Sequence, residues 1–147
     1  MLGFFQQKIS WVTTLSLGLL FIIFYLGSCA TKLSFLKSSV VPAAEGTVKV
    51  KKDNNSNYGI KISLENLAQP DRLQPSQNIY VVWMETADNG TMNLGQVNSS
   101  SSLLSGKLKG SFETVSTYKP TRIFITGETE TGRSYPGDLV VMSTRNF

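Results

Sequence analysis

From residue 46 onward the chain changes to short segments of β type. Val48 and Val50 share one face of Thr47–Lys51, and Thr47, Lys49 and Lys51 share the other. Ile60, Ile62 and Leu64 alternate in the same way against Lys61, Ser63 and Glu65, the pattern of a strand buried on one side. Ile79 to Met84 is apolar without a break, which predicts a central strand covered on both faces. Ala87-Asp88-Asn89-Gly90 supplies the positive φ that a tight hairpin needs, and Thr91–Val97 returns as its partner. Leu108–Val115 is a weaker strand interrupted by Gly110, Arg122–Thr126 is a strong one, and Leu139–Met142 closes the set. Between them lie the turn Asp53-Asn54-Asn55-Ser56-Asn57, a loop over Leu67–Gln77 containing Pro70 and Pro75, and the flexible polar run Ser99–Ser102. No helical period of useful length follows residue 29. The folded part is expected to be all-β.

About seven short strands at this spacing favour a small antiparallel β-sandwich of immunoglobulin-like type over a barrel. Trp83, on the third of them, is the expected core anchor. The inter-sheet disulfide of antibody domains has no counterpart, because the chain holds one cysteine.

That cysteine closes the N-terminal segment. Met1–Ser10 carries one charge, Lys8, and Trp11–Leu26 is apolar apart from Thr13, Thr14 and Ser16. A basic start, a short apolar stretch and then small residues is the layout of a secretory signal. As a helix, Trp11–Leu26 reaches about 24 Å, short of the roughly 30 Å hydrocarbon core. Leu26-Gly27-Ser28-Cys29 resembles the lipobox of bacterial lipoproteins. The resemblance implies cleavage before Cys29, a diacylglycerol on its thiol and a further acyl chain such as palmitate on the new amino group. Residue 30 is Ala rather than the Asp that signals retention in the inner membrane, so the periplasmic face of the outer membrane is the expected address. The organisation expected is a signal peptide over 1–28, a tether over 29–45 and a β-sandwich domain over 46–147. The alternative is an uncleaved transmembrane helix, since Ile9–Ala30 is long enough to span.

Composition narrows the chemistry. The net charge of +4 includes Lys8 of the leader, and charged residues make up only 16% of the chain. Lys49, Lys51 and Lys52 form the tightest basic group and read as a solvated strand face; a nucleic-acid partner would need a broader patch with interleaved aromatics. The chain has no histidine. The commonest general base, the Ser–His and Cys–His pairs and the usual transition-metal ligands are therefore missing. With Cys29 acylated, no metal site and no cofactor is expected.

Several local patterns carry candidate chemistry. Asp53-x-Asn55-x-Asn57-x-Gly59 has the alternating oxygen ligands of a calcium loop, but Tyr58 stands at the sixth position where the turn needs glycine. Ser34-x-x-Lys37 and Ser116-x-x-Lys119 share the nucleophile–base spacing of penicillin-recognising enzymes, which need both residues on one helical turn. Glu128 and Glu130, with Glu85, offer carboxylates of the kind glycosidases pair, if 128 and 130 share a strand face. Tyr118 and Tyr135, each near a proline in a loop, are the candidate ligand-contact residues.

The run Ile79-Tyr80-Val81-Val82-Trp83-Met84-Glu85, followed by Asp88-Asn89-Gly90 and Leu94-Gly95, resembles the extracytoplasmic C-terminal domain of anti-sigma-K factors. Ile123-Phe124-Ile125-Thr126-Gly127-Glu128, then Thr131-Gly132 and Tyr135-Pro136, extends the likeness, which covers roughly residues 46–145. It implies a β-sandwich with no catalytic set. The sigma-binding domain of that family precedes its membrane helix, and only ten residues precede the apolar segment here. The function expected is a non-catalytic binding or structural module of the cell envelope, with an envelope protein or glycan as partner. The alternative is a sensory domain on an uncleaved membrane helix.

Overall fold

The computed structural model describes residues 30–101 and 108–147. Leu26, Gly27, Ser28 and Cys29 lie outside the described residues. The chain forms β1 (Thr31–Ser34), β2 (Glu45–Lys52), β3 (Tyr58–Leu67), β4 (Ile79–Thr86), β5 (Gly90–Gln96), β6 (Asn98–Ser101), β7 (Leu108–Ser116), β8 (Pro120–Glu128) and β9 (Val140–Ser143). The one helical turn among the described residues is Pro70–Arg72, in the loop between β3 and β4. All strand pairs are antiparallel. They make a five-stranded sheet in the order β1-β2-β3-β7-β6 and a four-stranded sheet in the order β5-β4-β8-β9.

The alternating residues set which face is buried. Val48, Ile60, Ile62 and Leu64 of the first sheet share one cluster with Tyr80, Val82, Met84, Ile123 and Ile125 of the second. Burying both apolar faces against each other gives the protein its sandwich-like core. Gly110 lies in this core on β7. A Cβ there would sit 2.8 Å from Val97 Cγ1 and 3.2 Å from Leu64 Cδ1, so its small size lets the neighbours close in. The strand that looked interrupted in the sequence is therefore packed through its glycine.

Two expectations change. The described residues form nine strands rather than about seven, and the additions are β1 and β6. Leu33 is the one apolar residue of β1, and β6 is Asn-Ser-Ser-Ser. Both lie at an edge of the first sheet, where backbone hydrogen bonds alone recruit a strand and no alternation is needed. The second change concerns residues 30–45, expected as a tether. After β1, Leu36 N donates to Ser143 O and the Ser38 hydroxyl donates to Val141 O. This segment clasps β9 of the second sheet, and Ser38 and Ala44 are buried. The folded domain thus begins at Thr31, two residues after Cys29.

Candidate functional site

β4 is covered on both sides, as its unbroken apolar run predicts. Its even positions enter the common core. Its odd positions, Val81 and Trp83, join Phe124 of β8 in a second cluster. Trp83 is fully buried, but in this outer layer rather than between the sheets. Its ring stacks on Phe124 with centroids 6.4 Å apart and planes 15° from parallel. On the far side, the Arg122 guanidinium lies 5.3 Å from the Phe124 centroid and its Nη1 pairs with Glu85 Oε1 at 2.9 Å.

A polar chain runs from the indole to the loop between β8 and β9. Trp83 Nε1 donates to Thr126 Oγ1 at 2.8 Å, and the Thr126 hydroxyl donates to Glu128 Oε1 at 2.6 Å. Gly137 N donates to the same carboxylate oxygen at 2.7 Å, and Arg133 Nη1 to Glu128 Oε2 at 3.1 Å. Asn93 on β5 donates to the carbonyls of Thr131 and Arg133, both at 2.9 Å. Residues 129–139 are thereby tied across the outer face of the second sheet. Pro75, Gln77, Glu128, Arg133, Asp138 and Leu139 line a shallow cleft of 320 Å³ beside them. Glu128 is 1% exposed, yet no buried polar side-chain atom among the described residues lacks a partner. A buried carboxylate that already accepts three hydrogen bonds has little left to offer a substrate. Its work here is to fasten the loop.

The other carboxylates are not brought to it. In the register of β4 with β8, Ile79 faces Glu128 and Glu85 faces Arg122. Glu85 and Glu128 are therefore about 20 Å apart along the strands at ~3.3 Å per residue, whereas glycosidase carboxylates stand about 5–9.5 Å apart. β8 ends at Glu128, so Glu130 lies in the loop, exposed, and does not share a strand face with it.

The remaining patterns resolve into turns. Asp53 Oδ1 accepts the backbone N–H groups of Asn55 and Asn57, each at 2.8 Å, and Oδ2 accepts Asn57 Nδ2 at 3.3 Å. The Asn57 N–H above all holds this exposed carboxyl below its usual range, against desolvation and with help from the Asn57 amide and the Asn55 N–H. Its oxygens shape the β2–β3 hairpin. Among the described residues no group of three His, Cys, Asp or Glu side chains is placed to hold a metal. Ser116 Oγ accepts Tyr118 N at 3.0 Å and donates to Tyr118 O at 3.2 Å, a turn in place of the helix that a Ser–Lys pair needs. Ser34 is in β1, also without a helix.

Tyr118 and Tyr135 are both exposed, at 40% and 78%. They stand in loops leaving opposite ends of β8, so they do not form one stacking platform. Sequence reasoning missed Arg133 and Asn93. The available signal was Thr126-Gly127-Glu128, polar residues continuing an apolar strand, which asks for partners from elsewhere. Among the described residues no helix is long and apolar enough to cross a membrane. No family model, curated protein or solved structure matches the chain.

Proposed function

We propose that the protein is a non-catalytic, lipid-anchored module of the bacterial cell envelope. One observation carries the reading: Cys29 ends a signal-like segment in Leu26-Gly27-Ser28-Cys29, and the folded domain starts two residues later at Thr31. One acyl chain binds a membrane reversibly, and two or more give a stable anchor. The periplasmic face of the outer membrane is the address that Ala30 favours. Support for a non-catalytic role comes from the absence of histidine, the engaged carboxylate of Glu128 and its separation from Glu85. An immunoglobulin-like sandwich is supported by strand order: β2-β3-β7-β6 over β5-β4-β8-β9 corresponds to A-B-E-D over C′-C-F-G, with β1 added outside β2. Such a domain binds an envelope protein or glycan through its end loops, where Tyr118 and Tyr135 are available, or through a sheet edge.

The intact mass of the native protein tests this. Loss of the first 28 residues with gain of lipid is expected. A full-length chain without lipid would favour the second reading, a sensory domain on an uncleaved helix, suggested by the likeness to anti-sigma-K factors. Cys29→Ala should abolish palmitate incorporation and leave the domain folded. Unchanged incorporation refutes the anchor.

A further inference from the structure

β1 enters the first sheet with Thr31 opposite Val50, close to the end of β2 at Lys52. Cys29 is two residues earlier in the sequence, within about 7 Å of chain from that rung. The same end of the sheet collects an unusual set of side chains. Lys51, Gly59 and Val115 occupy one rung, with only a glycine between the lysine and the valine. Val115 is 67% exposed. Lys52 lies beside it on β2, its Nζ 5.9 Å from the Tyr58 ring centroid. The turn that follows β7 adds exposed Tyr118 and Lys119. Asp53, next to Lys52 in the chain, is taken up by the N–H groups of Asn55 and Asn57. Lysines with no carboxylate partner among the described residues, an aromatic ring with a polar tip and an outward aliphatic side chain are the composition of a membrane–water interface.

We propose that this end of the domain, formed by Lys51, Lys52, Val115, Tyr118 and Lys119, rests in the headgroup layer of the bilayer that holds acylated Cys29. The lysines meet lipid phosphates, while Tyr118 and Val115 reach the apolar boundary. The proposal rests on the lipid-anchor reading and adds an orientation to it. With so short a link between acyl chains and β1, the domain has no room to stand away from the surface. Tyr118 then serves the membrane rather than a soluble ligand, and Tyr135, beyond the other end of β8, is left to the partner.

The test uses the full-length acylated protein in vesicles of phosphatidylethanolamine and phosphatidylglycerol. The thioether blocks the sulfur of Cys29, so Tyr118→Cys provides a single thiol for a fluorophore, and Tyr135→Cys is the distal control. The label at 118 should be quenched by brominated lipid and sheltered from iodide, and the label at 135 should show the reverse. Lys51→Gln and Lys52→Gln should each lower the docked-to-undocked ratio about fivefold, the equivalent of ~1 kcal/mol per lysine at an anionic surface. Equal iodide access at both positions, with lipid mass found on Cys29, overturns the docking and leaves the anchor intact. If Cys29 of the wild type itself takes the fluorophore, both readings fall. Shelter at 118 in native envelopes but not in protein-free vesicles gives the face to a protein and overturns the lipid contact.

Discussion

Removing the indole of Trp83 tests the outer layer directly. The ring is fully buried, stacked on Phe124, and its N–H begins the chain that ends at Glu128. Truncating a buried aromatic to alanine costs about 3–5 kcal/mol, and Thr126 also loses a donor worth about 1 kcal/mol. The layer is roofed by a loop, which can settle into the void more readily than two facing sheets. The lower end, about 3 kcal/mol, is therefore expected for Trp83→Ala. A domain of this size loses about 4 °C or more in melting temperature per kcal/mol, so the melt should fall by roughly 12 °C. Trp83→Phe keeps an aromatic ring at the position but removes the donor and part of the ring, with an expected cost of about 1–2 kcal/mol. Thermal unfolding followed by circular dichroism separates the two variants. If Trp83→Ala melts with the wild type, the ring carries no packing energy and the outer layer is not a second core.

Glu128→Gln should cost about 2–3 kcal/mol, because an amide can no longer accept from Thr126, Gly137 and Arg133 together. Hydrogen exchange at the Gly137 amide reads it, and unchanged protection would free Glu128 from its clasping role. Arg133→Ala should cost less, since that side chain is 42% exposed. Tyr80 tests the main core: burial pushes its phenol from 10.0 up to about 12. A raised value means that stability is whole below pH 10 and is lost as pH climbs toward about 12. The slope is up to about 1.4 kcal/mol per pH unit. Tyr80→Phe should flatten that part of a denaturant-midpoint profile, and an identical slope in both proteins would mean the phenol ionises equally when unfolded.

What could be read in advance follows from where burial leaves its mark. Alternation in Val48–Val50 and Ile60–Leu64, and the unbroken run Ile79–Met84, revealed the strands because each residue's polarity records its face. β1 and β6 left no such record. They are held by backbone groups, which every sequence possesses. Trp83 was legible as buried but not as to side, since a strand apolar on both faces gives no cue to which layer takes an odd position. Glu128 looked like one of a carboxylate pair with Glu130. Its partners Gly137 and Arg133 come from the next loop, and no local spacing foretells that a loop will fold back over a sheet.

An edge strand that begins two residues after Cys29 is also a handle. Tension on the chain ahead of Thr31, directed along the strands, is shared by the Thr31–Val50, Lys32–Lys49, Leu33–Val48 and Ser34–Thr47 pairs. A pull along the strands shears β1 against β2, the stiffer mode of rupture. Residues 31–34 are already extended in β1, so freeing them adds little length along the pull. Leu36 and Ser38 still grip β9 at that point. A load on the leading chain thus meets a stiff edge strand first and a second hold on the other sheet behind it.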